Sequence, residues 1–142
     1  MSYRISELTS PEAFESIYPL IRLLNPDMSH ARFKELLAIL LHHGYRCAVA
    51  YAQDDTMAGL CGFWIAPRFY GGKIIQPDNL IVDDAHRGAG LGTQLLHWIE
   101  ALGRKEGCDM AVLDTYTHNV KSHKLYHREG YHILGYHFAK KL

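Results

Sequence analysis

Residues Leu80-Ile81-Val82-Asp83-Asp84-Ala85-His86-Arg87-Gly88-Ala89-Gly90-Leu91-Gly92-Thr93 run from an apolar strand into a loop with one arginine and three glycines; an amphipathic stretch, Leu91 to Lys105, follows. These residue types in this order suit the binding of a pyrophosphate. Glycine lacks a Cβ, so its backbone turns sharply and comes close to phosphate oxygens. The N–H groups at a helix start point at an anion, and the helix dipole favours negative charge there. Arg87 adds a cation. A P-loop needs Gly, four residues, then Gly-Lys-Ser/Thr, whereas Gly92 is followed by Thr93-Gln94. A Rossmann fingerprint needs Gly-x-Gly-x-x-Gly with an acid about 20 residues on. Here Gly88-x-Gly90-x-Gly92 is one residue short, although Asp114 lies near the right distance. The pattern that fits is Arg-x-x-Gly-x-Gly, through Arg87, Gly90 and Gly92. A turn with no ligand needs one glycine, not three beside an arginine.

Other reactive side chains carry weaker signals. Cys47, Cys61 and Cys108 are odd in number, widely spaced and without a Cys-x-x-Cys pair. They read as small buried hydrophobes of a reducing compartment, the cytoplasm, rather than as nucleophiles. His123 and His127 share a helix face at i and i+4, but two ligands without a third make no metal site. The ten histidines read as surface residues, and no metal is expected. A formal net charge of zero argues against nucleic acid or an anionic membrane as a bulk partner. No apolar run approaches the ~18 residues of a membrane span, and Met1 to Leu8 lacks the pattern of a secretory signal. At 142 residues the chain is expected to be one domain, 1–142, with a sizeable core.

The elements that position the loop follow from periodicity and punctuation. Tyr3 to Leu8 reads as a strand. Ser10-Pro11 starts a helix that Pro19 kinks or breaks, with Ser10 at the N-cap. Ser29 caps a second helix, which Gly44 ends. Cys47 to Ala52 and Ala58 to Phe69 are strands, with bulges expected at Gly59 or Gly62. Gly71-Gly72 makes a hairpin turn, and Ile74 to Val82 returns, interrupted at Pro77. After the loop, a helix packs Leu91, Leu95, Ile99 and Leu102 inward. Met110 to Tyr116 is a strand parallel to the one before the loop, because a helix joins them. Asn119 to Arg128 is a short helix, and Tyr131 to Ala139 alternates as a last strand. The order β-α-α-β-β-β-α-β-α-β is α+β, a mixed sheet with four helices. It is unlike a doubly wound sheet, which alternates strand and helix from the start.

The loop together with Asn119, Leu125-Tyr126 and Gly130-Tyr131 resembles the GCN5-related N-acetyltransferases (GNAT), over about residues 78 to 131. The resemblance implies a sheet of about six or seven strands and acetyl-CoA as cosubstrate. Leu80, Ile81 and Val82 would meet the pantetheine arm as an added strand meets a sheet edge. The backbone of Arg87, Gly88, Ala89, Gly90, Leu91, Gly92 and Thr93 would hold the pyrophosphate, and Asn119 would bind the cofactor arm. Tyr126 would protonate the leaving thiolate, and the Val82 N–H would serve the oxyanion. Asp78 stands where many members carry a glutamate, and is either the base or a plain polar residue after Pro77. By alternation Asp78, Leu80 and Val82 share one face, and Asn79 and Ile81 the other. The acceptor is expected to be a primary amine of a small molecule. His30, Arg68 and Lys73 are the groups available to an acceptor anion, because the C-terminal run looks somewhat like the aminoalkylphosphonate N-acetyltransferases. The alternatives are a non-catalytic acetyl-CoA sensor and a protein or peptide acetyltransferase. A homodimer is a possible assembly.

Overall fold

The computed structural model describes residues 2–142. Local chemistry sets the helix starts. Ser10 Oγ accepts from the Ala13 N–H at 3.2 Å and opens α1 (Pro11–Glu15). Pro19 breaks the expected first helix, so α2 (Tyr18–Leu24) begins afresh with proline in its first turn, where a missing N–H costs nothing. Ser29 Oγ accepts from the Arg32 N–H at 3.1 Å and opens α3 (His30–His42). The helix ends before Gly44, which takes the left-handed conformation at φ +92°.

The strands are β1 (Arg4–Glu7), β2 (Arg46–Tyr51), β3 (Met57–Arg68), β4 (Gly72–Val82) and β5 (Met110–Ala111), ordered β1-β2-β3-β4-β5 in one sheet. All neighbours are antiparallel except β4 and β5, which are parallel and joined through α4 (Leu91–Lys105). Each face of the sheet carries its own core. Phe14, Ile17, Leu20, Phe33 and Leu37 from α1–α3 pack on Tyr45, Cys47, Val49, Leu60 and Ile81. Leu91, Leu95 and Ile99 from α4 pack on Ala48, Ala50, Cys61, Phe63 and Ile75. Leu95 and Ile99 are wholly buried, and such a side chain contributes roughly 1.5–3 kcal/mol.

Arg46 ties three elements together. Its guanidinium meets Glu7 at 2.6 Å and Glu106, just past α4, at 2.8 Å, and lies 5.1 Å from the centre of the Phe63 ring.

The α+β class and the element order hold as far as α5 (Val120–Arg128), with two corrections. There are five strands rather than six or seven, and five helices rather than four, among the described residues. The strand expected at Met110–Tyr116 stops at Ala111, and residues 131–139 form no strand. Proline explains the first shortfall. The Val112 N–H donates to Ile75 O at 3.1 Å, and the next bond of a parallel ladder would come from residue 77, whose proline nitrogen has no hydrogen. The second follows from the first. Tyr131–Ala139 alternates well, but alternation makes a strand only beside a ladder partner, and residues 113–116 form no strand that could serve as one.

The chain divides into two compact units, one ending at Val112 and one running from Leu113 to Leu142. The first holds the sheet and α1–α4; the second holds α5.

Candidate active site

In the first unit the site residues follow β4 into α4. Asp83 closes the turn after β4, its Oδ1 accepting from the Ala85 N–H at 2.9 Å. A single 3-10 turn, Asp84–His86, leads to Arg87. Asp84 receives Arg87 Nη2 at 3.0 Å, so the loop's cation has a carboxylate partner, and the arginine side chain stays 61% exposed. Gly88 and Gly90 have φ +80° and +77°, and a Cβ built on either meets nothing within 4 Å. Both glycines are therefore required by backbone conformation, and the space in front of them is clear for a ligand. Gly90 caps α4 without any side chain to occupy the first-turn amides. Leu91 anchors that turn at 1% exposure. A loop that presents backbone N–H groups at an uncapped helix start fits a pyrophosphate.

Leu80, Ile81 and Val82 pair with Cys61, Leu60 and Gly59 on one side of β4. On the other side β5 reaches only Ile74 and Ile75. Among the described residues, no strand pairs with this edge from Asp78 to Val82. It fits an extended, amide-bearing arm.

Asp78 does not share a face with Leu80 and Val82, as unbroken alternation would have it. Asn79 lies opposite Gly62 and Pro77 opposite Phe63, so Asp78 is an extra residue in β4. Packing shows the same slip. Ile75 belongs to the core beneath α4, while Ile81, six positions on, belongs to the core beneath α1–α3. In an unbroken strand both would face the same way. The expected grouping of Asp78 with Leu80 and Val82 is therefore wrong. Leu80 and Val82 pack against the α4-side core. Asp78 accepts from Trp64 Nε1 at 3.1 Å, and Trp64 packs against the α1–α3 core. The bulge adjoins Gly62 as expected, but the extra residue belongs to the partner strand. Pro77 is tolerated because its nitrogen faces the β5 side, past the end of that ladder.

On the same face Trp64, Ala66 and Arg68 of β3 and Ile74, Gln76 and Asp78 of β4 line a cleft of about 270 Å³. Trp64 and Ala66 pair with Gln76 and Ile74, so period-two alternation alone assembles the cleft. Sequence reasoning names Asp78 and Arg68 but gives no role to Gln76. Lys73, expected here, is elsewhere. It is odd-numbered in β4, and its Nζ donates to Glu106 O at 2.6 Å near the end of α4. His30 stacks on Phe33 and meets Tyr18 edge-on.

In the second unit Asn119 caps α5, its Oδ1 accepting from the Ser122 N–H at 3.3 Å. Tyr126 lies seven residues on, half-buried, with its ring 6.2 Å from that of Tyr131. Seven residues make about two turns, so the two share one face of the helix. His123 bonds Tyr116 O at 3.0 Å. The cysteines are poor nucleophiles. Burial pushes the Cys47 thiol up to about 12 and raises those of Cys61 and Cys108.

A mixed sheet with a glycine loop between its parallel strands and an open helix start is suited to a pyrophosphate-bearing ligand. The model of the acetyltransferase (GNAT) family matches residues 11–131, and the chain belongs to that family. It is an acetyl-CoA-dependent N-acetyltransferase. An aminoalkylphosphonate N-acetyltransferase of Salmonella typhimurium is 30% identical over 136 residues, covering 92% of this chain and 86% of the relative. A glucosamine 6-phosphate N-acetyltransferase of Trypanosoma brucei brucei is 29% identical over 83 residues, covering 57% of this chain and 54% of its own. The solved structure of an aminoglycoside N-acetyltransferase, AAC(6')-Iy, in complex with CoA shares the fold with a TM-score of 0.83, at 17% identity and with 99% and 95% of the two chains covered.

Proposed function

We propose that the acceptor is the primary amine of a small molecule carrying an anionic group, acetylated by direct attack on the thioester within one functional domain, 1–142. The observation that carries this reading is the β3–β4 cleft, where a carboxylate, Asp78, and a guanidinium, Arg68, line the same sheet face. Such a cleft suits a short molecule with a positive and a negative end. The two relatives named for an aminoalkylphosphonate and for a hexosamine phosphate support it.

The residues would act as follows. The loop from Arg87 to Thr93 holds the pyrophosphate with backbone N–H groups, and the free edge of β4 at Leu80 to Val82 aligns the pantetheine arm. Asn119 meets that arm with Nδ2, since its oxygen serves the α5 cap. Asp78 accepts a proton from the acceptor's ammonium, directly or through water, and frees the nitrogen lone pair. The new C–N bond forms as the Val82 N–H steadies the oxyanion. The C–S bond then breaks, the Tyr126 hydroxyl gives its proton to the departing sulfur, and the second proton lost by the new amide nitrogen returns to the Tyr126 oxygen, directly or through water.

The test is thiol release from acetyl-CoA with a panel of aminoalkylphosphonates, hexosamine phosphates, uncharged amines, polyamines and a lysine peptide. The anionic amines should have the highest kcat/KM. Efficient acetylation of the peptide, with no turnover of any small amine, would overturn the proposal.

A further inference from the structure

The extra residue in β4 needs something to keep it at Asp78. A one-residue slip is free to move along a hairpin unless side chains pin it, and each step turns the passed residue to the opposite face. On one side stands Pro77, buried and paired opposite Phe63. On the other side stands a hydrogen bond that crosses the hairpin. Tyr45 Oη donates to Asn79 Oδ1 at 2.9 Å. It passes over Gly62, which lies opposite Asn79. A Cβ at position 62 would run into the Tyr45 hydroxyl and the Asn79 carboxamide oxygen. The ring of Tyr45 is 6% exposed and sits between Phe14, at 6.3 Å, and Trp64, at 5.5 Å. Burial raises the phenol pKa well above its ordinary value, so the hydroxyl remains a donor at physiological pH. Trp64 closes the chain of contacts through Nε1 to the Asp78 carboxylate.

Asn79 is an expensive residue to keep in this place. Its Nδ2 is buried with no hydrogen-bond partner, whereas an apolar side chain here facing a phenylalanine at position 45 would leave nothing unpaired. A residue serving packing alone would be leucine.

We propose that Tyr45, Gly62 and Asn79 form a lock that holds the bulge at Asp78, making Tyr45 and Asn79 positioning residues for that carboxylate. The inference rests on the reading of Asp78 as proton acceptor. Two variants test it. Tyr45→Phe keeps the ring and removes the donor. Asn79→Leu removes both amide groups but takes the acceptor from the buried Tyr45 hydroxyl, so its Tm is measured beside that of Tyr45→Phe/Asn79→Leu, which leaves neither group unpaired. In each, kcat should fall roughly 10- to 100-fold, the scale of a misplaced catalytic group. KM for acetyl-CoA should change little, and the acid limb of the kcat/KM–pH profile should move. Adding either change to Asp78→Asn should cost nothing further, because the residues act in series. Unchanged kcat and acid limb in a folded Asn79→Leu enzyme, or losses that multiply with those of Asp78→Asn, would overturn the lock. Full activity of Asp78→Asn alone would instead remove the reading of Asp78. The lock is then judged by cross-strand NOEs in Tyr45→Phe: loss of the Gly62–Asn79 pairing upholds it, and an unmoved bulge rejects it.

Discussion

Tyr126 and Gly90 offer single-residue tests of the chemistry. Tyr126→Phe removes only a hydroxyl. Turnover should fall about 100-fold or more, as when a general acid is lost, while calorimetry should find acetyl-CoA affinity nearly unchanged. Full kcat at saturating acceptor would show the thiolate leaving unaided. Gly90 holds φ +77°, and Gly90→Val puts branched carbons into a left-handed backbone beside the expected pyrophosphate. A folded variant should lose acetyl-CoA binding, and undiminished affinity by calorimetry would move the anion elsewhere. In the cleft, Arg68→Ala should raise KM for anionic amines and leave KM for uncharged amines nearly as it was. Equal effects on both would reduce Arg68 to a supporting role. The backbone of the loop is legible in the amino-acid sequence, because the positive φ at Gly88 and Gly90 is what glycine alone takes readily. That Leu80 and Val82 face away from Asp78 is not legible there. A bulge is a mismatch between two strands, and no single strand's pattern records which partner holds the extra residue.

At the scale of elements, helix starts are readable because Ser10 and Ser29 cap by local hydrogen bonds. Strand ends are less so. Pro77 reads as an interruption of β4, but its larger effect is on the neighbour, where β5 stops at Ala111. The Arg46 junction of β1, β2 and α4 is also invisible in the sequence, since its partners lie 39 and 60 residues away. Its contribution is testable. Arg46→Met should lower stability by about 2 kcal/mol, or Tm by roughly 5–10 °C for a chain of this size. The pH dependence has a definite sign. Hydrogen bonds from Arg46 hold the Glu106 carboxyl below its ordinary value of 4.5. The folded state thus prefers the ionised form, and this stabilisation is present above 4.5 and lost as pH falls through the lower folded value. The Tm gap between parent and Arg46→Met should therefore narrow on acidification below about 4.5; a gap independent of pH would mean that packing on Phe63 supplies the effect.

For the molecule as a whole, net charge and element order point to the broad class, and the family model spanning residues 11–131 agrees with it. The acceptor is harder to read because its cleft is made of ordinary strand residues that meet only after the hairpin closes. One consequence lies in the edge of β4 from Asp78 to Val82, where among the described residues no strand pairs and Arg87 Nε reaches Val82 O at 3.5 Å. A row of free N–H and C=O groups invites any passing extended chain, and folded proteins guard such edges with proline, bulges and charge. Here Pro77, the bulge and Asp78 stand together at the start of that edge, so the features that shape a slot for one narrow guest also discourage a polypeptide from zipping along it. Acetyl-CoA should then act as an edge guard in solution, raising Tm with concentration by mass action and slowing aggregation on heating. Replacing Pro77 with valine should make the cofactor-free protein more prone to associate, as light scattering would record, and saturating acetyl-CoA should suppress the difference.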